Sequence, residues 1–432
     1  MSIRAWILMI AVALLAPRSE AQLTVQILRG MAESVPIAIV PLAWDFPGAA
    51  PWDVAGTVHA DLERSGRFKP LPRAQMIEQP HAAADVDPAD WRMLRVDYVL
   101  VGRLAPLPDG RFELRYELVS VANGERLLGM SIPADRNALK LASHRVSDAI
   151  YERILGVRGA FSTRIAYIAV DGPKTARGYR LVVTDADGAN ERIVFASPQP
   201  ILSPAWSPDG RSLAYVSFHS SLPAIYVQTL RSGEQVRVSA KSGINSAPSF
   251  SPDGSQLAIA LSRRDGNVDI YLLTLATQEL RRLTDDPSID TEPVWAPDGR
   301  SVYFTSDRAG APQVYRQAIA PGERAQRITF DGSYNARPRV SPDGREIALV
   351  TIDRGAYRIA VADIARGGLR VLTTGRLDES PSYAPNGADI IYASREGGHG
   401  VLAIVSSDGR IQQRLAASAG EVREPAWSPY LQ

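Results

Sequence analysis

The stretch Pro204-Ala-Trp-Ser-Pro-Asp-Gly-Arg-Ser-Leu-Ala-Tyr-Val-Ser217 decides the fold. In Ser207-Pro208-Asp209-Gly210 the proline presets φ for the first corner of a type I turn, and Asp209 suits the second corner. Gly210 is free to take the positive φ of a bulged three-residue hairpin loop. Ala205-Trp206 on one side and alternating Leu213, Tyr215 and Ser217 on the other carry strand patterning. The stretch reads as two antiparallel strands around a tight turn.

The phrase returns as Pro248-Ser-Phe-Ser-Pro-Asp-Gly254, Pro293-Val-Trp-Ala-Pro-Asp-Gly299, Pro338-Arg-Val-Ser-Pro-Asp-Gly344, Pro381-Ser-Tyr-Ala-Pro-Asn-Gly387 and Pro425-Ala-Trp-Ser-Pro429. The leading prolines are 44, 45, 45, 43 and 44 residues apart, a period at which each unit is one four-stranded propeller blade. Full units carry two further strand-like runs, as at 225–230 and 235–239. The first unit opens at Arg164-Ile-Ala-Tyr-Ile-Ala169, which matches the second strand of the repeat, and the last stops after its first strand. Joined, these ends complete one blade. The count is six blades, closed by a C-terminal strand that removes the open sheet edges.

Composition, 45% apolar and 22% charged, is that of a globular chain. Residues 1–21 hold Arg4, an apolar run over 6–16, Pro17 and Ser19-Glu20-Ala21, the pattern of a secretory signal peptide too short to span a bilayer. Removing Arg4, Arg18 and Glu20 with it leaves 46 basic residues facing 46 acidic ones, so neither nucleic acid nor an anionic membrane surface is an expected partner. No direct membrane insertion and a monomeric state are expected. The absence of cysteine is compatible with export.

Over 22–159 the period is missing and helical patterns appear, so the fold class is multidomain: a small N-terminal α/β domain, then an all-β propeller over 160–432. Residues 36–42 read as a buried strand, and 52–65, with Val54, Val58 and Leu62 on one stripe, as an amphipathic helix. Asp87-Pro88 starts a short helix through Leu94, residues 97–104, 111–121 and 125–131 read as three strands, and a closing helix over 136–155 is expected to be capped by Asp135 and stopped by Gly156. Ahead of these, Gln22-Leu23-Thr24-Val25-Gln26-Ile27-Leu28 alternates apolar with polar residues. It is either the first strand of this domain's sheet or, over 22–34, a mobile segment that a partner captures by strand addition.

Propeller topology sorts the loops. In an antiparallel blade the Ser-Pro-Asp-Gly turn lies on one face, and the loop between strands two and three, with the link into the next blade, on the other. That second face collects Ile244-Asn245-Ser246-Ala247, Asp290-Thr291-Glu292, Ala336-Arg337 and Leu377-Asp378-Glu379-Ser380 around the channel mouth, with Arg263-Arg264-Asp265, Asp307-Arg308, Asp353-Arg354 and Arg395-Glu396 farther out. A single exposed Arg-Asp pair is only a solvated rim, worth about 0–1 kcal/mol. A mixed-sign ring around a concave mouth can instead orient a protein partner.

The rival is an exported propeller hydrolase acting on peptides or glycans. No Gly-x-Ser-x-Gly motif occurs, and none of His59, His81, His144, His219 and His399 belongs to a recognisable metal spacing, so packing or solvated histidines, no catalytic residue, no metal and no cofactor are expected. Asp185-Ala-Asp-Gly188 resembles the start of a calcium loop, yet lacks the downstream glutamate, and Asp-Gly is above all a turn dipeptide.

With its leader, its α/β domain and its six repeats, the chain resembles the TolB family, periplasmic components of the Tol-Pal envelope system of Gram-negative bacteria. The most specific likenesses are Asp290-Thr-Glu-Pro293, Phe304-Thr-Ser-Asp-Arg308, Gln313-Val-Tyr315 and Pro425-Ala-Trp-Ser-Pro-Tyr430. The resemblance implies a periplasmic scaffold that binds the peptidoglycan-associated lipoprotein Pal through the propeller, at Ile244, Asn245, Ser246, Ala247, Asp290, Thr291, Glu292, Arg337 and Glu379. It implies that the segment from Gln22 to Leu28 meets TolA, and that the protein supports outer-membrane integrity and envelope constriction at division. Three departures stand out: Asn386 for the turn Asp, Ala296 and Ala384 for the turn Ser, and apolar Ile244 where a binding ring should be polar.

Overall fold

The computed structural model describes residues 24–29, 34–173, 175–220, 222–262, 266–416 and 420–431. The leader lies outside them, as do Gln22, Leu23 and the rim residues 263–265.

The α/β domain is built on a five-stranded sheet in the order Phe68–Pro70, Val35–Ile39, Tyr98–Pro106, Phe112–Ser120, Arg126–Ala134. The first two contacts are parallel and the rest antiparallel. Helices α1 (Val54–Arg64) and α3 (Leu139–Leu155) cover one face. Val54, Val58 and Leu62 form the buried stripe of α1, and together with Leu100, Leu114, Val146 and Ile150 they close one core. The short α2 (Pro88–Met93), capped by Asp87 on Ala89 N–H, buries Trp91 in the second core beside Val99, Val101 and Val119. The sequence missed the three-residue strand Phe68–Pro70, too short to show a period. It also misplaced one cap: a 3₁₀ turn over Arg136–Ala138 precedes α3, and the Asp135 side chain caps nothing. Gly156 does end α3, at φ 77°.

Six antiparallel sheets form the ring, five of four strands and one, blade 6, extended to five. The innermost strands of blades 1 to 6 are Glu421–Trp427, Ile201–Trp206, Asn245–Phe250, Asp290–Trp295, Asn335–Val340 and Glu379–Tyr383, each against the next around the channel. Blade 1 is the composite one. Its C-terminal strand pairs antiparallel with Arg164–Asp171, from Glu421 opposite Val170 to Trp427 opposite Ile165, and so begins four residues earlier than the repeat phrase suggested.

The turns follow from their chemistry. Ser207 Oγ donates to Asp209 Oδ1 at 2.5 Å and accepts from Ser212 N–H at 2.9 Å, while Gly210 sits at φ 68°. Where Ala296 replaces the serine, Arg300 N–H still bonds Asp298 at 2.9 Å. At Asn386 the amide gives something a carboxylate could not: its Nδ2 donates to Arg158 O at 3.0 Å, across to the α/β domain.

That domain packs on the face bearing these turns. Tyr430 stacks on the Arg158 guanidinium at 4.0 Å, and Lys140 Nζ meets Asp187 at 2.8 Å. The segment Thr24–Arg29 is not the first strand of the α/β sheet. It pairs antiparallel with Gln412–Ala416, the outermost strand of blade 6, from Thr24 opposite Ala416 to Arg29 opposite Gln412. A blade that ends in an unpaired strand offers a row of free N–H and C=O groups, and an alternating segment satisfies them as a fifth strand.

Candidate functional site

Each innermost strand carries the same irregularity. Between Leu202 and Ala205, Ser246 and Ser249, Thr291 and Val294, Ala336 and Arg339, Glu379 and Ser382, and Arg423 and Ala426, the ladder skips. The repeat proline falls in the skip, where its missing N–H breaks no ladder bond. The residue before it is left-handed in every blade: Ser203, Ala247, Glu292, Arg337, Ser380 and Glu424 have φ between 50° and 55°. Six non-glycine residues in this sparsely populated region persist only because the bulge and the proline determine the backbone around them. Ala247→Gly is therefore expected to stabilise the protein by about 0.5–1 kcal/mol, the relief of left-handed alanine less glycine's entropy cost, read as a higher denaturant midpoint.

These six residues line one channel cavity of about 270 Å³. Their side chains bond from blade to blade. Glu292 accepts from Thr305 Oγ1 at 2.8 Å and from Arg337 N–H and Nε at 2.9 Å each, and the Arg337 guanidinium reaches on to Ser380 Oγ. Glu424 accepts from Ser203 N–H at 2.5 Å. Burial pushes the Glu424 carboxyl above the usual carboxylate range, against the pull of Arg337. Blade 3, with Ala247 at this position, contributes no side-chain hydrogen bond. Deeper in, Arg339 is the one charged member of a level otherwise formed by Ala205, Ser249, Val294, Ser382 and Ala426.

Of the residues singled out in the sequence, Ala247, Glu292, Arg337 and Ser380 meet in this channel. Ser246 and Thr291 are half-buried beside them, and Ile244 is 44% exposed on the rim. Glu379 lines a separate cavity of about 160 Å³ with Arg177, Arg395 and Arg423. Asn245 and Asp290 are buried and already engaged. Asn245 accepts from Ser239 Oγ at 2.7 Å and Lys241 N–H at 2.9 Å, and Asp290 holds Arg308 at 2.8 Å. They shape the link loops from beneath. Burial pushes the Asp290 carboxyl up even though Ser306 and Arg308 bond it.

Sequence reasoning missed Ser203 and Glu424, and placed Ser380 at the mouth without including it among the binding residues, although the signal was available: each immediately precedes a repeat proline. It also treated Ile244 as an anomaly. Ile289, at 50%, and Phe330, at 70%, are exposed on the next two link loops, so apolar rim residues recur there. On the turn face, Ser341 is buried with its Oγ bonded to Asp343 and to Glu346 N–H, whereas the side chain of Arg345 in the same turn is 84% exposed.

The fold and channel define a class: two-domain propeller proteins in which an α/β domain caps one face of a six-bladed ring. Residues 151–431 match the family described as the TolB beta propeller domain, and residues 23–127 the TolB amino-terminal domain. The Tol-Pal system protein TolB of Thioalkalivibrio sulfidiphilus is 54% identical over 426 residues, covering 98% of each chain, and that of Xanthomonas oryzae pv. oryzae 49% identical over 431 residues with the same coverage. The crystal structure of TolB from Acinetobacter baumannii superposes with a TM-score of 0.87 at 41% identity, covering 95% of this chain and all of that one. The chain belongs to the TolB family of the Tol-Pal system, a non-enzymatic family of the bacterial envelope. Among the described residues, no helix is long and apolar enough to cross a membrane.

Proposed function

We propose that this protein is a periplasmic scaffold that binds the peptidoglycan-associated lipoprotein Pal at the link-loop mouth of its channel and TolA through its N-terminal segment, joining the two in support of outer-membrane integrity and constriction at division. One observation carries the reading. The α/β domain takes the turn face of the ring, so the link-loop face, with Ile244, Ser246, Ala247, Thr291, Glu292, Arg337 and Glu379 at or near the mouth, is the one left to a protein partner. Asn245 and Asp290 contribute by holding the loops. A mouth with apolar rim residues and internally paired charges suits a protein partner better than a polyanion, since its ion pairs orient an incoming surface while Ile244, Ile289 and Phe330 supply buried area.

The segment from Gln22 to Leu28 serves TolA by exchange. Its residues 24–28 lie in the strand on blade 6, so capture by TolA competes with this docking. If Pal prefers one of the two arrangements, the segment reports on the mouth without touching it. Deleting residues 22–28 is expected to abolish TolA binding and to change Pal affinity by about 1–3 kcal/mol, the range of ordinary allosteric coupling. Calorimetric titration of Pal into intact and deleted protein measures this, and equal dissociation constants would reduce the segment to a tether.

A further inference from the structure

The aspartates of the turn Asp185-Ala-Asp-Gly188 are brought by the fold against a histidine of the other domain. His144, on α3, is buried, with 2% of its surface exposed. Its Nδ1 lies 2.7 Å from Asp61 Oδ2, and since a carboxylate only accepts, Nδ1 carries the proton. Asp61 is itself fixed by Ser147 Oγ and Arg64, each at 2.6 Å. The other ring nitrogen, Nε2, has no hydrogen-bond partner and faces Asp187 Oδ2 of the propeller at 3.6 Å. An imidazole anchored by a carboxylate through one nitrogen, with the other free and aimed at acidic groups, is the arrangement of a metal-ligating histidine.

A ring nitrogen of His144 and one oxygen each of Asp185 and Asp187 all lie within 4.8 Å of one another, so that drawing together by about an ångström brings them to the spacing of donors that meet a common ion at about 2.0–2.2 Å. Both carboxylates are already oriented, Asp185 by Asn190 Nδ2 at 2.7 Å and Asp187 by Ala189 N–H at 3.0 Å. A cation stands between them now: Lys140 Nζ is 2.8 Å from Asp187 Oδ2 and 3.4 Å from Asp185 Oδ2. Cavities of about 390 and 490 Å³ flank that lysine, one reaching Asp61, Arg64 and Asp187, the other His144, Asp185 and Asn190. They provide an entry path, space for water ligands, and room for the ammonium to withdraw.

We propose that His144, Asp185 and Asp187 form a divalent-cation site bridging the two domains, which takes an ion suited to mixed imidazole and carboxylate ligands, such as zinc, in exchange for the Lys140 ammonium. The imidazole comes from α3 and both carboxylates from a propeller turn, so a bound ion locks the orientation of one domain on the other.

The test uses the mature full-length chain, stripped with chelator and titrated with zinc by calorimetry and with cobalt(II) by its visible absorption. One ion per chain should bind and raise the melting temperature. Asp187→Asn should abolish both effects. Asp61→Asn, which leaves all three ligands in place, should weaken binding by about 10–100-fold. Lys140→Met should tighten it by about tenfold, because a competing positive charge is gone, and a damaged fold cannot produce that change. Zinc that fails to bind at millimolar concentration, or that binds wild type, Asp187→Asn and Lys140→Met equally, overturns the proposal.

Discussion

Removing residues 421–432 is expected to abolish cooperative folding of the ring. The deleted strand is the innermost of blade 1, and its loss leaves Arg164–Asp171 unpaired along the channel. Val422 and Ala426 sit in two different cores, one on each side of the closing blade. Three anchors go with them. Trp206 Nε1 donates to Ala426 O at 2.9 Å, Trp427 Nε1 to Thr163 Oγ1 at 2.8 Å, and Ser428 N–H to Arg164 O at 2.8 Å. The combined cost should exceed about 5 kcal/mol, the lower end of a whole domain's stability, so the shortened chain should aggregate or unfold without a sharp transition. A melting temperature within about 4 °C of the intact chain, a shift worth only 1–2 kcal/mol at this size, would count against closure by this strand. The smaller change Trp427→Ala should cost about 3 kcal/mol and keep the fold.

The ring was legible because its repeat is written in residues whose backbone chemistry is local: proline, aspartate and glycine force the same turn wherever they fall. The α/β helices were legible for a similar reason, since Val54, Val58 and Leu62 mark a face by spacing alone. What escaped depends on contacts far apart in the chain. The left-handed residues before each proline look ordinary in sequence, because only the facing strand reveals that two residues oppose one. Asn245 and Asp290 looked like polar mouth residues, yet Ser239, Lys241 and Arg308 take their hydrogen bonds and draw them under the loops. The N-terminal segment alternated as a strand should, but alternation does not say which edge it meets. His144 carried no spacing signal, since its partners come from residue 61 and from a turn some forty residues on.

The second large effect concerns the mouth. Thr291 is half-buried beside Glu292 on the link-loop side, and Thr291→Arg places a long cation next to the paired Arg337. Bulk and like charge introduced where a partner must pack oppose binding without emptying a core. The expected loss of Pal affinity is about 30-fold or more, the scale of a binding hot spot. Bulk at Ser341 makes a poor control, because that serine is buried in its turn. Arg345→Trp is the sound one: it adds similar bulk on the opposite face at an exposed side chain.

Calorimetric titration of the soluble Pal domain into wild type, Thr291→Arg and Arg345→Trp decides whether the link-loop mouth is the binding surface. Thr291→Arg should lose binding by about 30-fold or more, while Arg345→Trp matches wild type and all three share one melting temperature. If Arg345→Trp loses Pal and Thr291→Arg does not, or if both folded variants bind as wild type does, the link-loop mouth is not where this propeller meets its partner.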